Sequence, residues 1–154
     1  MLVTNHVLSG AAIGAATRRP VPAFLLGIAS HFALDSLPHW GQWADEKAFF
    51  RVAVIDGLTG LTAMALLAKL ADDHSLGGRT GLPLAVLAGM AGAALPDLDK
   101  PSALLLGHTL WPEKVNAFHH GIQHEAPHRF FSHELVGAVM FAATAVTLIR
   151  RFAR

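Results

Sequence analysis

The heptapeptide HRFFSHE, residues 128–134, sets two imidazoles five positions apart and adds a guanidinium, a hydroxyl and a carboxylate. It stands directly before an uncharged stretch, residues 135–149. Imidazole nitrogens of His128 and His133 suit a transition metal. Arg129 has the planar fork that grips a phosphate or carboxylate oxygen pair. Glu134 can orient a ligand or act as general base toward a metal-activated water. Ten histidines in 154 residues is the outlying number of the composition, and six of them fall between His108 and His133.

Two further segments carry matching chemistry. HFALD places His31 and Asp35 four apart, on one face of a helix. Such a pair makes either a hydrogen bond or half of a metal site, and inside an apolar segment ionisable groups point to function. His39 follows just beyond. PDLD sets Asp97 and Asp99 directly after an apolar run. Two carboxylates facing the negative end of a helix are unfavourably placed, and a bound cation removes that penalty. The other reading of PDLD is a polar turn. Carboxylate oxygen with imidazole nitrogen suits zinc, manganese or iron. His6 lies early in the first apolar stretch. HxxxH at 120–124 fits a helical metal pair or a titrating surface patch, with His119 beside it, and His74 and His108 have no evident partner.

The elements that would position these groups are apolar helices. The chain is 53% hydrophobic and 15% charged, well below the roughly 25% charge of a soluble domain. Net charge is +1, which gives no reason to expect a nucleic-acid partner, and the lack of cysteine removes disulfides and thiolate ligands. Five helices are expected near 5–17, 22–37, 50–71, 82–95 and 134–150, with a short one across them at 112–122. Pro22 suits a helix start, Pro38 and Pro96 end helices two and four, and Ser132 is placed to cap helix five. Only the third has the length of a membrane span. Yet helices four and five lack the charged faces of a soluble bundle, and Gly10-xxx-Gly14, Ala85-xxx-Gly89 and Gly89-xxx-Ala93 permit close helix approach. The expected fold is all-α, a single membrane-embedded domain over residues 1–154. The N-terminal stretch has no basic n-region and is followed by Arg18-Arg19, so it reads as a retained helix.

Threading these helices alternately up and down gathers His6, His31, Asp35, His39, Asp56, Asp97, Asp99, His128 and His133 at one end. Arg18, Arg19, Lys69, Arg79, Arg150, Arg151 and Arg154 gather at the other. Trp40, Trp43 and Trp111 fall at the histidine end, as an interfacial belt would place them. The positive-inside rule puts the arginine end in the cytoplasm and the metal site on the outer side.

In TNHVLSGAAIG, HFALDSLPHW, GAALPDLDKPS and HRFFSHE the chain resembles the YdjM-like family, bacterial inner-membrane proteins described as metal-dependent hydrolases. The family usually shows HRG, two residues, then HS; here Phe130 and Glu134 stand at the glycine and final serine. Lys100 stands where the family often has histidine. HFALD also resembles a ligand helix of zinc-dependent phospholipases C, which implies phosphoester hydrolysis. The resulting expectation is an inner-membrane hydrolase holding one or two divalent metals, zinc before manganese or iron. The ligands would be His31, Asp35, Asp97, Asp99, His128 and His133, joined by His6 and His39, with Arg129 and Glu134 in catalysis. Membrane lipids surround it, and a lipid or other phosphoester is the expected substrate. Two rivals remain open. A di-iron oxidase would use HxxxH at 120–124 and the pair at 128 and 133. A metal transporter would need Asp56 to line a path toward the opposite end.

Overall fold

The computed structural model describes residues 1–41, 43–75 and 81–151. The chain folds into helices α1 (Val3–Thr17), α2 (Pro20–Asp35), α3 (Glu46–Asp73), α4 (Leu82–Ala94), α5 (Asp99–Leu106), α6 (Glu113–Ile122) and α7 (Val136–Arg151). Strands β1 (Pro38–Trp40) and β2 (His124–Ala126) form a short parallel pair, His39 opposite Glu125. The architecture is an all-α bundle, as expected, with seven helices among the described residues where five and a short crossing one, here α6, were anticipated.

Both differences have local causes. Helix α4 does stop before Pro96, but the proline is absorbed in a 3-10 turn, Leu95–Leu98, and the chain resumes as α5. Proline in a first turn costs no backbone hydrogen bond, so it need not end a helical run. Ser132 does not cap the last helix. A π-helical turn, Phe130–Leu135, leads into α7, and Ser132 Oγ meets His133 Nδ1 at 2.8 Å. The HRFFSHE segment is thus partly the first turn of the helix it precedes. Counting these extensions, three helical stretches among the described residues are long and apolar enough to cross a membrane: Glu46–Asp73, Leu82–Leu106 and Phe130–Arg151.

Helix α1 is the centre. It is buried at Asn5–Ala11, Gly14 and Ala15, and packs against α2, α3, α4 and α7. The small-residue stripes meet as the spacing suggested. A Cβ on Gly10 would collide with the carbonyl of Gly89, and one on Gly14 with that of Ala85. Backbones approach this closely only where side chains are absent. Around this seam Val7, Ala11, Leu67, Val86, Met90 and Ile149 form the apolar core. The outer faces are equally oily: Ile55, Leu61, Val139 and Met140 are each at least 60% exposed. Exposed apolar residues in this number on helices long enough to cross a membrane suit a bilayer surrounding.

Asp56 is the one carboxylate deep in α3. Its oxygens accept the backbone N–H groups of Val3 (2.6 Å) and Thr4 (3.1 Å) and the Thr4 hydroxyl (2.6 Å). It therefore caps the N-terminus of α1 from a neighbouring helix, where orphan N–H groups and the helix dipole favour a carboxylate. The transport rival needed Asp56 along a path; its oxygens are engaged here instead.

Candidate metal centre

The start of α1, the ends of α2 and α4, and α6 bring five ionisable side chains together: His6, His31, Asp35, Asp97 and His119. All five are buried. His31 and Asp35 share a face of α2 by their four-residue spacing. Asp97 is turned inward by the 3-10 turn. His119 is the buried residue of α6, flanked on the packed face by half-buried Asn116 and Ile122.

Three ligand atoms form a small triangle. His31 Nε2 and His119 Nε2 are 3.0 Å apart, and Asp35 Oδ2 lies 3.2 Å from the first and 2.9 Å from the second. With zinc–ligand bonds of about 2.0–2.1 Å, the edge of a coordination tetrahedron is roughly 3.3 Å. The triangle is close to one face of such a site. Asp97 Oδ1 stands 4.0 Å from His119 Nε2, and His6 Nε2 lies 3.1 Å from Asp35 Oδ1. The donors form two overlapping groups, His6–His31–Asp35 and His31–Asp97–His119, each with all ligand atoms within 4.8 Å of one another.

The outer hydrogen bonds orient the cluster's imidazoles. His31 Nδ1 lies 2.7 Å from the Ala93 carbonyl, which can only accept, so Nδ1 carries the proton. That leaves His31 Nε2 as the nitrogen turned toward Asp35 Oδ2 and His119 Nε2, the one a metal would take. A backbone carbonyl on the far nitrogen is the usual way a ligand histidine is oriented. His39 repeats the pattern: Nδ1 donates to the Leu37 carbonyl at 2.8 Å, and the buried Nε2 has no partner. Burial, and next the neighbouring terminal amine, push the His39 imidazole below its ordinary pKa, keeping that lone pair free. His6 Nδ1 is likewise buried and unpartnered, and its ring stacks on His31 at 3.9 Å. Two cationic groups already attend the carboxylates. The Met1 amine donates to Asp35 Oδ1 at 2.7 Å, and the Lys100 ammonium lies 2.7 Å from Asp97 Oδ1.

The remaining sequence candidates fall elsewhere. Asp99 Oδ1 accepts the backbone N–H of Leu110 (2.6 Å) and Trp111 (3.0 Å), tying down the loop after α5. Asp97 and Asp99 are therefore not a ligand pair: positions two apart in a helical turn point in different directions. His128 is exposed in the turn after β2, and His133 is half-buried beside Ser132; neither joins the ligand groups among the described residues. Glu134 is buried, but its carboxylate accepts from Leu2 N (3.2 Å), Asn5 Nδ2 (2.7 Å) and Trp40 N (3.1 Å). With both oxygens engaged it positions α1 and β1 and is poorly placed to act as a base. Arg129 is half-buried, and its Nε is buried without a partner. Helix α6 ends at Ile122, so His120 and His124 do not share a helix face, and the di-iron rival loses its HxxxH pair. His74 and His108 bond the local carbonyls of Leu70 and Leu106.

The candidate ligand that sequence reasoning passed over is His119. Its signal was weak: on the short helix, Asn116, His119 and Ile122 recur every three residues, which puts His119 rather than His120 on the packed face.

Residues 54–154 match the model of the YdjM inner membrane protein family. The chain belongs to that family. The matched region includes Asp97, His119 and the HRFFSHE segment, while His6, His31, Asp35 and His39 lie before it. No curated protein and no solved structure matches the chain. Membership agrees with the three long apolar helices, and the protein is a membrane protein.

Proposed function

We propose that this membrane protein is a metal-dependent hydrolase acting on a phosphoester, with a lipid-like substrate. The observation that carries the reading is the triangle of His31 Nε2, His119 Nε2 and Asp35 Oδ2, with edges of 2.9–3.2 Å and the His31 proton held away on Ala93. His31, His119, Asp35 and Asp97 would hold one divalent ion, zinc fitting best. Asp35 Oδ1 and His6 extend toward a second, with His39 beside them. Bound there, the metal would supply Lewis acidity and a nucleophilic water at neutral pH.

The chain's own groups do the rest. Arg129, with an unpaired buried Nε, binds the substrate anion. Lys100, ion-paired with Asp97, is the proton-bearing side chain at the cluster and serves the leaving group. Glu134 holds the N-terminus of α1 and β1 in register, so that His6 and His39 keep their places. Seven of the twelve basic residues, Arg18, Arg19, Lys69, Arg79, Arg150, Arg151 and Arg154, belong to the connections and helix ends away from the site, against Lys47, Arg51, Lys100, Lys114 and Arg129 on its side; Arg79 and Arg154 fall outside the described residues. By the positive-inside rule that end faces the cytoplasm and the site faces outward across the inner membrane.

The test uses the full chain purified in detergent. Metal content is measured by mass spectrometry before and after chelation, and cleavage of bis(p-nitrophenyl) phosphate and of phospholipid is followed as zinc, manganese or iron is restored. Stoichiometric metal with restored cleavage that is lost in His31→Ala is the expected outcome. A fully loaded protein that cleaves no phosphoester, or that consumes oxygen with iron, would sink the hydrolase reading.

A further inference from the structure

A groove of about 300 Å3 runs between α3 and α7 and is lined by Leu2, Trp40, Val52, Ile55, Phe130 and Leu135. Its two carboxylates are engaged, Asp56 in capping α1 and Glu134 in holding Leu2, Asn5 and Trp40, while Asn5 Oδ1 is buried without a partner. The exposed part of its wall is chiefly apolar. Both flanking helices belong to stretches long enough to cross a membrane, and residues on them near the groove, Ile55, Leu58 and Val139, are about 60% exposed or more. A cleft of this size facing a bilayer core cannot be filled by water at low cost, and leaving it empty forfeits packing. Hydrocarbon is the matching occupant.

The groove and the metal cluster share a wall one residue thick. Leu2 lines the groove while the Met1 amine touches Asp35. Asn5 lines the groove while His6, the next residue of α1, touches Asp35. Trp40 lines the groove while His39 is buried beside it, under the charges of Asp35 and Glu134. Two successive-residue pairs thus divide their side chains between an oily cleft and the histidine–aspartate cluster, and at Leu2 the preceding terminal amine does the same. Trp40 and Phe130, with ring centroids 4.8 Å apart, close the groove on the side of Arg129.

We infer that this groove takes one aliphatic chain of a membrane phospholipid whose phosphate head lies over the histidine–aspartate cluster. The head-group half of this statement rests on the hydrolase reading; the chain half does not. It names the substrate class as a bilayer phospholipid with its ester at the interface, entering sideways between α3 and α7.

The full chain is placed in vesicles of phosphatidylethanolamine and phosphatidylglycerol. The probe is phosphatidylglycerol with a diazirine midway along one acyl chain, and diacylglycerol carrying the same chain serves as comparator. Cross-linked peptides are identified with zinc present and after chelation. Labelling should concentrate severalfold on the segments of Ile55 and Leu135 relative to Leu25 and Leu61, favour the phosphate-bearing probe, and fall on chelation. Ile55→Trp should remove the enrichment and Leu58→Trp should keep it, with zinc content reporting that both variants are folded. Even labelling over every exposed apolar face overturns the groove. Groove labelling indifferent to phosphate and to zinc overturns the placement of the head group, and the proposal with it. Groove labelling that needs both phosphate and zinc, without any phosphoester cleavage, leaves the proposal standing and refutes the hydrolase reading alone.

Discussion

Removing His119 is the sharpest probe of the metal centre. Its Nε2 is one vertex of the triangle, 3.0 Å from His31 Nε2 and 2.9 Å from Asp35 Oδ2. Apparent zinc affinity in four-ligand protein sites is about 10–16 kcal/mol, or roughly 2.5–4 kcal/mol per ligand if divided evenly. At 1.4 kcal/mol per tenfold, His119→Ala should raise the zinc Kd by on the order of 100-fold or more. The remaining imidazoles cannot close the gap, because His31 is pinned through Nδ1 to Ala93 and His6 is stacked on its far side. His128→Ala, at an exposed turn position, should change zinc affinity less than tenfold, within what an indirect effect produces. Competition against a chromophoric chelator, on both variants purified in the same detergent, gives the two constants. Retention of full zinc affinity by His119→Ala, with loss in His128→Ala, would refute the geometric argument and return the site to the HRFFSHE histidines.

Asp56→Ala should lower thermal stability in detergent, since two N–H groups and a hydroxyl lose their acceptor at about 1–3 kcal/mol per group, while zinc content stays near wild type; an unchanged melting temperature would refute the capping role. Gly14→Leu drives a side chain into the Ala85 carbonyl and should destabilise by at least the roughly 1–3 kcal/mol typical of overpacking, measured by the same melt. Lys100→Ala removes a cation 2.7 Å from Asp97 Oδ1, so titrated zinc should bind more tightly, and weaker binding would mean that the ion pair supports the site.

Much of this protein is legible in its residues alone. The absence of charged outer faces, the small-residue stripes and the prolines determine an apolar helical bundle. Short connections then force His6, the end of α2 and PDLD to one end, whatever the details. Local spacing settles His31 and Asp35, because a four-residue interval on a helix admits a single relative direction. What the sequence could not decide is which polar group at that end turns inward. Asp97 and Asp99 are two positions apart; only the 3-10 turn around Pro96 sends one to the cluster and the other to the Trp111 loop. His119 and His120 are adjacent, and the packing of α6 alone selects the first. Glu134 stands in a motif that suggests catalysis, yet the start of α1 and the backbone of Trp40 take up both its oxygens. Those partners lie 94–132 residues away in sequence, and contacts at such separations follow from how the helices pack, not from any local pattern of residues.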